Sequence, residues 1–268
     1  MSLTYSRYLK LDELLDLQQP LSDGPDGPEH DETLFIVIHQ VYELWFKQVL
    51  HELDHLAELL DGSAGHPDAG WRILATLRRI LTILKTMVAQ IDILETMNPI
   101  SFGSFRSRLE AASGFQSPQF RELEFVLGLR HKAMLSHHRE NKAAHERLRR
   151  RLGEPTLYQH FLAYLARLGH EIPAEVLAPY EYGEPPSSAV LRRTLIAIYR
   201  GDAHLTQLCE RLVDFDEGLQ EWRYRHVKMV ERTIGGKPGT GKSAGVAFLK
   251  KTLFQPLFPD LWTIRTEL

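Results

Sequence analysis

The 268-residue chain contains a single cysteine, Cys209. That scarcity forbids an intrachain disulfide and removes cysteine-ligated zinc and iron–sulfur centres from consideration. No C-x-x-C-H run occurs, so a haem held through two thioether links is excluded as well. Long apolar runs are also missing. None approaches the roughly 20 residues that span a bilayer, and the opening MSLTYSRYLKLDELL lacks the apolar centre of a secretory signal. A cytoplasmic protein with no membrane partner is the expectation. Charge of one sign is not in excess either. A net charge of −3 points to neither nucleic acid nor an anionic surface as a partner. There is no clean period-two strand of useful length and no internal repeat.

What remains is the balance of a globular protein, 43% hydrophobic and 25% charged, with enough apolar surface for a substantial core. Helical periodicity dominates, and the predicted class is all-α, a bundle of long amphipathic helices in one domain over residues 1–268. The stretch 31–60, DETLFIVIHQVYELWFKQVLHELDHLAELL, places Leu34, Ile38, Val41, Trp45, Val49, Leu53, Leu56 and Leu60 on one side of a helix, with Asp31 as its expected cap. A second long helix is expected over 71–97, packed antiparallel to the first and ended by Asn98-Pro99. A third is expected from Ala203 to Ile234. Residues 4–18 read as a helix, 101–118 as irregular, and 139–152 as an exposed helix whose basic cluster is a solvated face.

Two histidines stand out. His39 lies at the flank of the first apolar stripe, one turn after Phe35 and one before Glu43. His226 lies within the stripe of the third long helix, between Trp222 and Val230. An imidazole among large apolar side chains is expensive unless its nitrogens find partners. A core histidine bonded to a backbone carbonyl is the simpler reading of each alone. A pair on two long helices also suits a bundle cavity in which one imidazole ligates a b-type haem. Spacing leaves both readings open.

Two short patterns invite sharper readings and are set against their context. Residues 236–243, GKPGTGKS, match the phosphate-loop consensus, with Lys242 and Ser243 in the functional positions. That loop needs a buried strand before it, and RYRHVKMVERTI is charged at helical intervals instead. Residues 51–55, HELDH, match H-E-x-x-H, but His51 and His55 fall far from the apolar stripe and look outward.

Over nearly the whole chain, YSRYLKLDELL, LSDGPDGPEHDE, LFIVIHQVYELWFK, GFQSPQFRELEFVLG, YLARLGHEIP, EWRYRH and GTGKSAGVAFL follow one another in an order that resembles the tryptophan 2,3-dioxygenase family. The resemblance implies an all-helical homotetramer with one non-covalent haem b per subunit. It implies insertion of both atoms of O2 across the indole C2–C3 bond of L-tryptophan, giving N-formylkynurenine. By motif position, His226 would be the axial iron ligand, and His39 the distal histidine facing the indole N–H. Phe35 would wall the pocket, Arg106 would clamp the substrate carboxylate, and Thr240 would approach the substrate ammonium together with a haem propionate. Tyr5, Tyr8 and Leu9, in the segment 1–20, would close the pocket of a neighbouring subunit. Gly239 and Gly241 would let the glycine-rich loop close over the amino-acid end.

Two positions depart from the family pattern. Phe102 stands where a tyrosine hydroxyl usually helps hold the substrate carboxylate, and Lys242 replaces a lid glycine. They keep an alternative open: a related haem enzyme that inserts one oxygen atom into a substituted tryptophan or another aromatic amino acid.

Overall fold

The structure, a computed structural model, describes residues 2–22, 27–62, 69–110, 112–183, 185–240 and 245–268. Among these there is no β-strand, only an isolated bridge between Arg130 and Gly183, so the all-α expectation holds. No described helix is long and apolar enough to cross a membrane.

The expected N-terminal helix is two short ones, α1 (Tyr5–Leu9) and α2 (Leu11–Leu15). Lys10 between them adopts a left-handed conformation, φ 52°, which breaks the i→i−4 ladder. Neither helix buries a residue. The helix expected over 31–60 is α3 (His30–Asp61), closed by Gly62 at φ 74°. Asp31 is not its cap. Glu29 holds that position without a side-chain bond, and Asp31 lies in the first turn. The buried carboxylate of Glu32 reaches back and accepts from the Leu21 and Ser22 backbone N–H groups, both at 2.8 Å, tying the preceding loop to α3. Of the expected stripe, Ile38, Val49, Leu53, Leu56 and Leu60 are buried, but so are Tyr42, Phe46, Leu50 and Leu59. The buried face is wide because α3 is covered on several sides, by α4 (Ala69–Leu94), by α6 (Pro118–Val126) and by α9 (Leu157–Arg167).

The helix α4 stops at Leu94, before the expected end, and a turn follows. Asn98 and Pro99 start an element rather than only ending one. The Asn98 side chain accepts from Ile100 N at 2.8 Å and Ser101 N at 3.0 Å, Pro99 fills the first helical turn, and α5 (Pro99–Arg106) follows. The stretch read as irregular thus begins with a helix, held down by Phe102 and Phe105 three residues apart and both buried.

Beyond α6 come α7 (Lys132–Ser136), α8 (Lys142–Gly153), α9, α10 (Ala174–Leu177), α11 (Ala189–Gly201), α12 (Ala203–Ile234), α13 (Val246–Lys250) and α14 (Pro259–Thr263). The helix α8 is not the solvated rod its polarity suggested. It buries Ala144, Leu148 and Leu152. Arg151 spans Glu122 at 3.0 Å and Asp54 at 2.8 Å, while Arg147 meets Glu122 at 2.9 Å. Part of the basic cluster is therefore an inter-helix clamp. At the other end, buried Asp216 of α12 accepts from Leu257 N and Trp262 Nε1, each at 2.8 Å, and fixes the C-terminal segment.

The long helices set the frame. Both α3 and α12 pack extensively along α4, yet they share no extended backbone contact with each other. The helix α5 meets both. These two rods lie on a common third and are joined at one end by a short helix, with Tyr42 and Phe46 of α3 meeting Trp222 of α12 between them.

Candidate functional site

His39 comes from α3 and His226 from α12, the two long helices that both lie on α4. Both imidazoles are crowded enough by protein for desolvation to depress their pKa. Both nevertheless retain accessible surface, His39 more than His226. Crowding together with accessibility describes side chains that line a concavity, neither sealed in a core nor standing on a convex face. The two rings also lie close enough that the charge of His39 bears on His226.

The tautomer of His39 follows from its partner. Its Nδ1 lies 2.7 Å from the Phe35 carbonyl oxygen. A carbonyl can only accept, so Nδ1 carries the proton. Burial lowers its pKa, against the opposing pull of the Phe35 bond and the Glu43 charge. A neutral ring protonated at Nδ1 presents Nε2 as a bare acceptor. The Phe35 ring lies 4.1 Å from the His39 ring, and Phe102 and Phe105 lie 5.7 Å and 5.6 Å from Phe35, an apolar wall beside that acceptor.

His226 is different. Among the described residues, neither of its ring nitrogens has a hydrogen-bond partner. Burial, then the charges of His39 and Arg223, push its pKa down to about 4. Its ring stacks on Trp222 at 5.4 Å and 14°, and Trp222 in turn meets Tyr42, Phe46 and Phe120. A neutral, unpartnered imidazole in an aromatic lining is the state a soft or borderline metal ion requires of a histidine ligand. A haem, flat and mostly apolar, fits both this donor and this lining.

Arg106 closes α5. Its Nη2 donates to the Pro238 carbonyl at 2.6 Å, and its buried Nε has no partner among the described residues. Thr240 Oγ1 donates to the Ala112 carbonyl at 2.5 Å. These two bonds fold the loop that follows α12 over the segment that follows α5, bringing Arg106, Gly239 and Thr240 into one neighbourhood. Gly241, Lys242 and Ser243 lie outside the described residues.

Tyr5, Tyr8 and Leu9 are not brought there. They are 76%, 72% and 41% exposed, and the principal packing partner of α1 is α2. The HELDH side chains diverge. His51 is exposed, Glu52 is buried against Arg79 at 2.9 Å, Asp54 holds Arg151, and His55 sits 3.7 Å from Glu58. The phosphate-loop lookalike is preceded by α12, a helix and not a strand. Two surface hollows, about 580 Å³ beside Arg193 and Arg200 and about 440 Å³ between α4 and α12, lie elsewhere and contain no histidine.

Sequence reasoning missed a buried cluster of Arg121, Glu124 and Arg223 next to this site. The one available clue was three charged residues inside the otherwise core-like run FRELEFVLG.

The fold and the site together define an all-helical protein with two crowded, partly accessible imidazoles on neighbouring long helices beside aromatic side chains. The chain belongs to the tryptophan 2,3-dioxygenase family, whose profile matches residues 1–171 and 187–268. It is 56% identical over 267 residues to a tryptophan 2,3-dioxygenase of Herpetosiphon aurantiacus, covering 100% of this chain and 99% of that one. It is 55% identical to a tryptophan 2,3-dioxygenase of Anaeromyxobacter sp., covering 100% of this chain and 97% of that relative. Identity to a Caulobacter vibrioides protein of the same name is 44%, over 99% and 98% of the two chains.

Proposed function

We propose that this protein is a haem-dependent dioxygenase that opens the indole C2–C3 bond of L-tryptophan with O2 to give N-formylkynurenine. The observation that carries the proposal is the pair of imidazoles on α3 and α12, His226 stacked in an aromatic lining with no hydrogen-bond partner among the described residues and His39 bonded through Nδ1 so that Nε2 is left as an acceptor. Bound non-covalently, a haem b would supply the centre that takes up and activates O2. His226 holds it, since no other described imidazole of the cleft is free of hydrogen bonds.

The remaining work falls to positioning. His39 Nε2 accepts the indole N–H, which fixes the ring plane and tunes its electron density without removing the proton. Phe35 and Phe102 wall the indole, with fully buried Phe105 packed behind them, and keep water from it. Arg106 takes the amino-acid carboxylate through the donors its own chain leaves unused, in the fork geometry suited to a carboxylate. Thr240 lies beside the ammonium, with the glycine-rich loop as a lid. Phe102 supplies wall but no hydroxyl, so the carboxylate relies the more on Arg106. The segment 1–20 completes the pocket of a neighbouring subunit in a homotetramer. Residues 1–268 act as one domain.

The test is an anaerobically reduced, haem-loaded sample given L-tryptophan and then O2, with spectra and product mass followed together. Gain of both oxygen atoms in the product supports the reading. Gain of one atom replaces it with a monooxygenase acting at the same site. His226→Ala should emerge without a Soret band, and a variant that keeps its full haem content defeats the ligand assignment.

A further inference from the structure

The roles above leave one buried ionic cluster unused. Glu124 of α6 is buried, as are Arg121 on the same helix and Arg223 on α12. The carboxylate is shared: Oε1 accepts from Arg223 Nη2 at 2.8 Å, and Oε2 accepts from Arg121 Nη1. Arg223 Nη1 also donates to the Thr252 carbonyl at 3.2 Å. The Nε of each guanidinium is buried without a partner among the described residues. Two cations enclose one anion, so the cluster carries a surplus positive charge in a region that screens it poorly.

Its place in the fold is specific. Both guanidiniums lie over the Phe120 ring, at 5.0 Å and 6.0 Å. Phe120 meets Trp222 at 5.3 Å, and Trp222 is the ring on which His226 stacks. Arg223 precedes His226 by three residues on α12, one turn away on the same face. The other charged groups nearby are already matched. Glu122 pairs with Arg147 and Arg151, and Arg225 points outward to Asp92 and Glu95. A histidine that ligates a metal usually donates its second N–H to a carboxylate or carbonyl, which makes it a stronger electron donor. Among the described residues His226 has no such partner.

We infer that the Arg121–Glu124–Arg223 cluster raises the reduction potential of the haem held by His226, with Arg223 as a positioning residue whose charge favours the ferrous form. Reduction adds one electron and lowers the net charge of the haem by one. A fixed cation one helical turn from the histidine that would hold the haem therefore favours the reduced state over the oxidised one. The absence of an anionic partner on the ring acts in the same direction. The enzyme proposed above must be ferrous to take up O2, so the cluster holds the iron in its working state between turnovers. This inference rests on that haem reading.

The test is a spectroelectrochemical titration of the haem-loaded protein, without substrate, at one pH. Arg223→Gln and Arg121→Gln should move the midpoint potential negative. Glu124→Gln, which removes the anion and leaves both cations, should move it positive. Arg223→Lys, which keeps the charge, should return it close to that of the unaltered protein. Opposite signs on the two sides of one ion pair are not expected from loosened packing, which would admit water in every variant alike. Potentials unchanged in all haem-loaded variants, or a shift of the same sign for Glu124→Gln and Arg223→Gln, overturn the inference. Should Arg223→Gln fail to retain haem, the Arg121→Gln and Glu124→Gln pair still decides the sign. If the unaltered protein acquires no Soret band, the haem reading fails and this inference with it. A normal Soret band with immovable potentials sinks only the inference.

Discussion

Arg106 makes one side-chain hydrogen bond among the described residues. The bond to the Pro238 carbonyl fixes the guanidinium, while its buried Nε goes without a partner among the described residues. A buried donor left unmade is unfavourable, and in the proposed site a ligand carboxylate relieves it. Hydrogen bonds to a charged group contribute about 1.5–3 kcal/mol. Arg106→Ala should accordingly raise the dissociation constant for L-tryptophan by roughly ten- to a hundredfold, with the Soret band intact. Arg106→Lys should restore only part of the loss, because an ammonium cannot offer the parallel fork. Titrating the Soret shift with tryptophan measures both, and an unchanged constant in Arg106→Ala removes this residue from the site. His39 and His226 show how local partners separate two identical side chains. One has a proton fixed on Nδ1 by a carbonyl of its own helix, and the other has no partner on either nitrogen among the described residues.

At the level of elements, α5 carries both Phe102 and Arg106, so whatever orders α5 orders the substrate end of the proposed site. Its start depends on Asn98, which satisfies two backbone N–H groups. Asn98→Ala should cost about 1 kcal/mol of stability, read from urea unfolding. It should also weaken tryptophan binding, because the clamp hangs from the far end of the same short helix. A stability loss with unchanged tryptophan affinity would mean that α5 is positioned by packing alone. This helix was also illegible beforehand. Gly103, with Gly114 and Pro118 beyond it, reads as punctuation, and the cap that outweighs them is a single asparagine that also reads as a stop. The long helices were legible because their stripes run for many turns: α12 spans the expected Ala203–Ile234, and α3 extends the expected range by one residue at each end. Their histidines were found for the same reason, since an imidazole is conspicuous in an apolar stripe. Long-range pairing was not legible. Arg106 meets Pro238 across 132 residues and Arg151 meets Asp54 across 97, and no local pattern announces either. The basic helix α8 therefore looked solvated when part of it serves as a clamp.

The whole molecule leaves one surface unexplained within a single chain. Leu3, Tyr5, Tyr8, Leu15, Leu17 and Leu21 are all exposed, a cluster of large apolar side chains on a segment that buries none of its own helical residues. Scattered exposed leucines are ordinary, but a dense run of them marks a contact surface. The proposed site shows the complementary deficiency: His39 remains exposed within a single chain, and a reaction of this type must exclude water. A second subunit that lays its N-terminal arm across the cleft resolves both, as the proposed homotetramer requires. Deleting residues 2–17 should then lower the mass of the particle in solution and weaken tryptophan binding, while haem content stays near one per chain. Tyr8→Ala should separate the two effects, keeping the mass and weakening tryptophan binding by about tenfold, equivalent to about 1.4 kcal/mol. Light scattering gives the mass and the Soret titration gives the affinity. If the shortened chain keeps both the parent mass and the parent affinity, the arm serves neither assembly nor the site, and the pocket must be closed from within its own subunit.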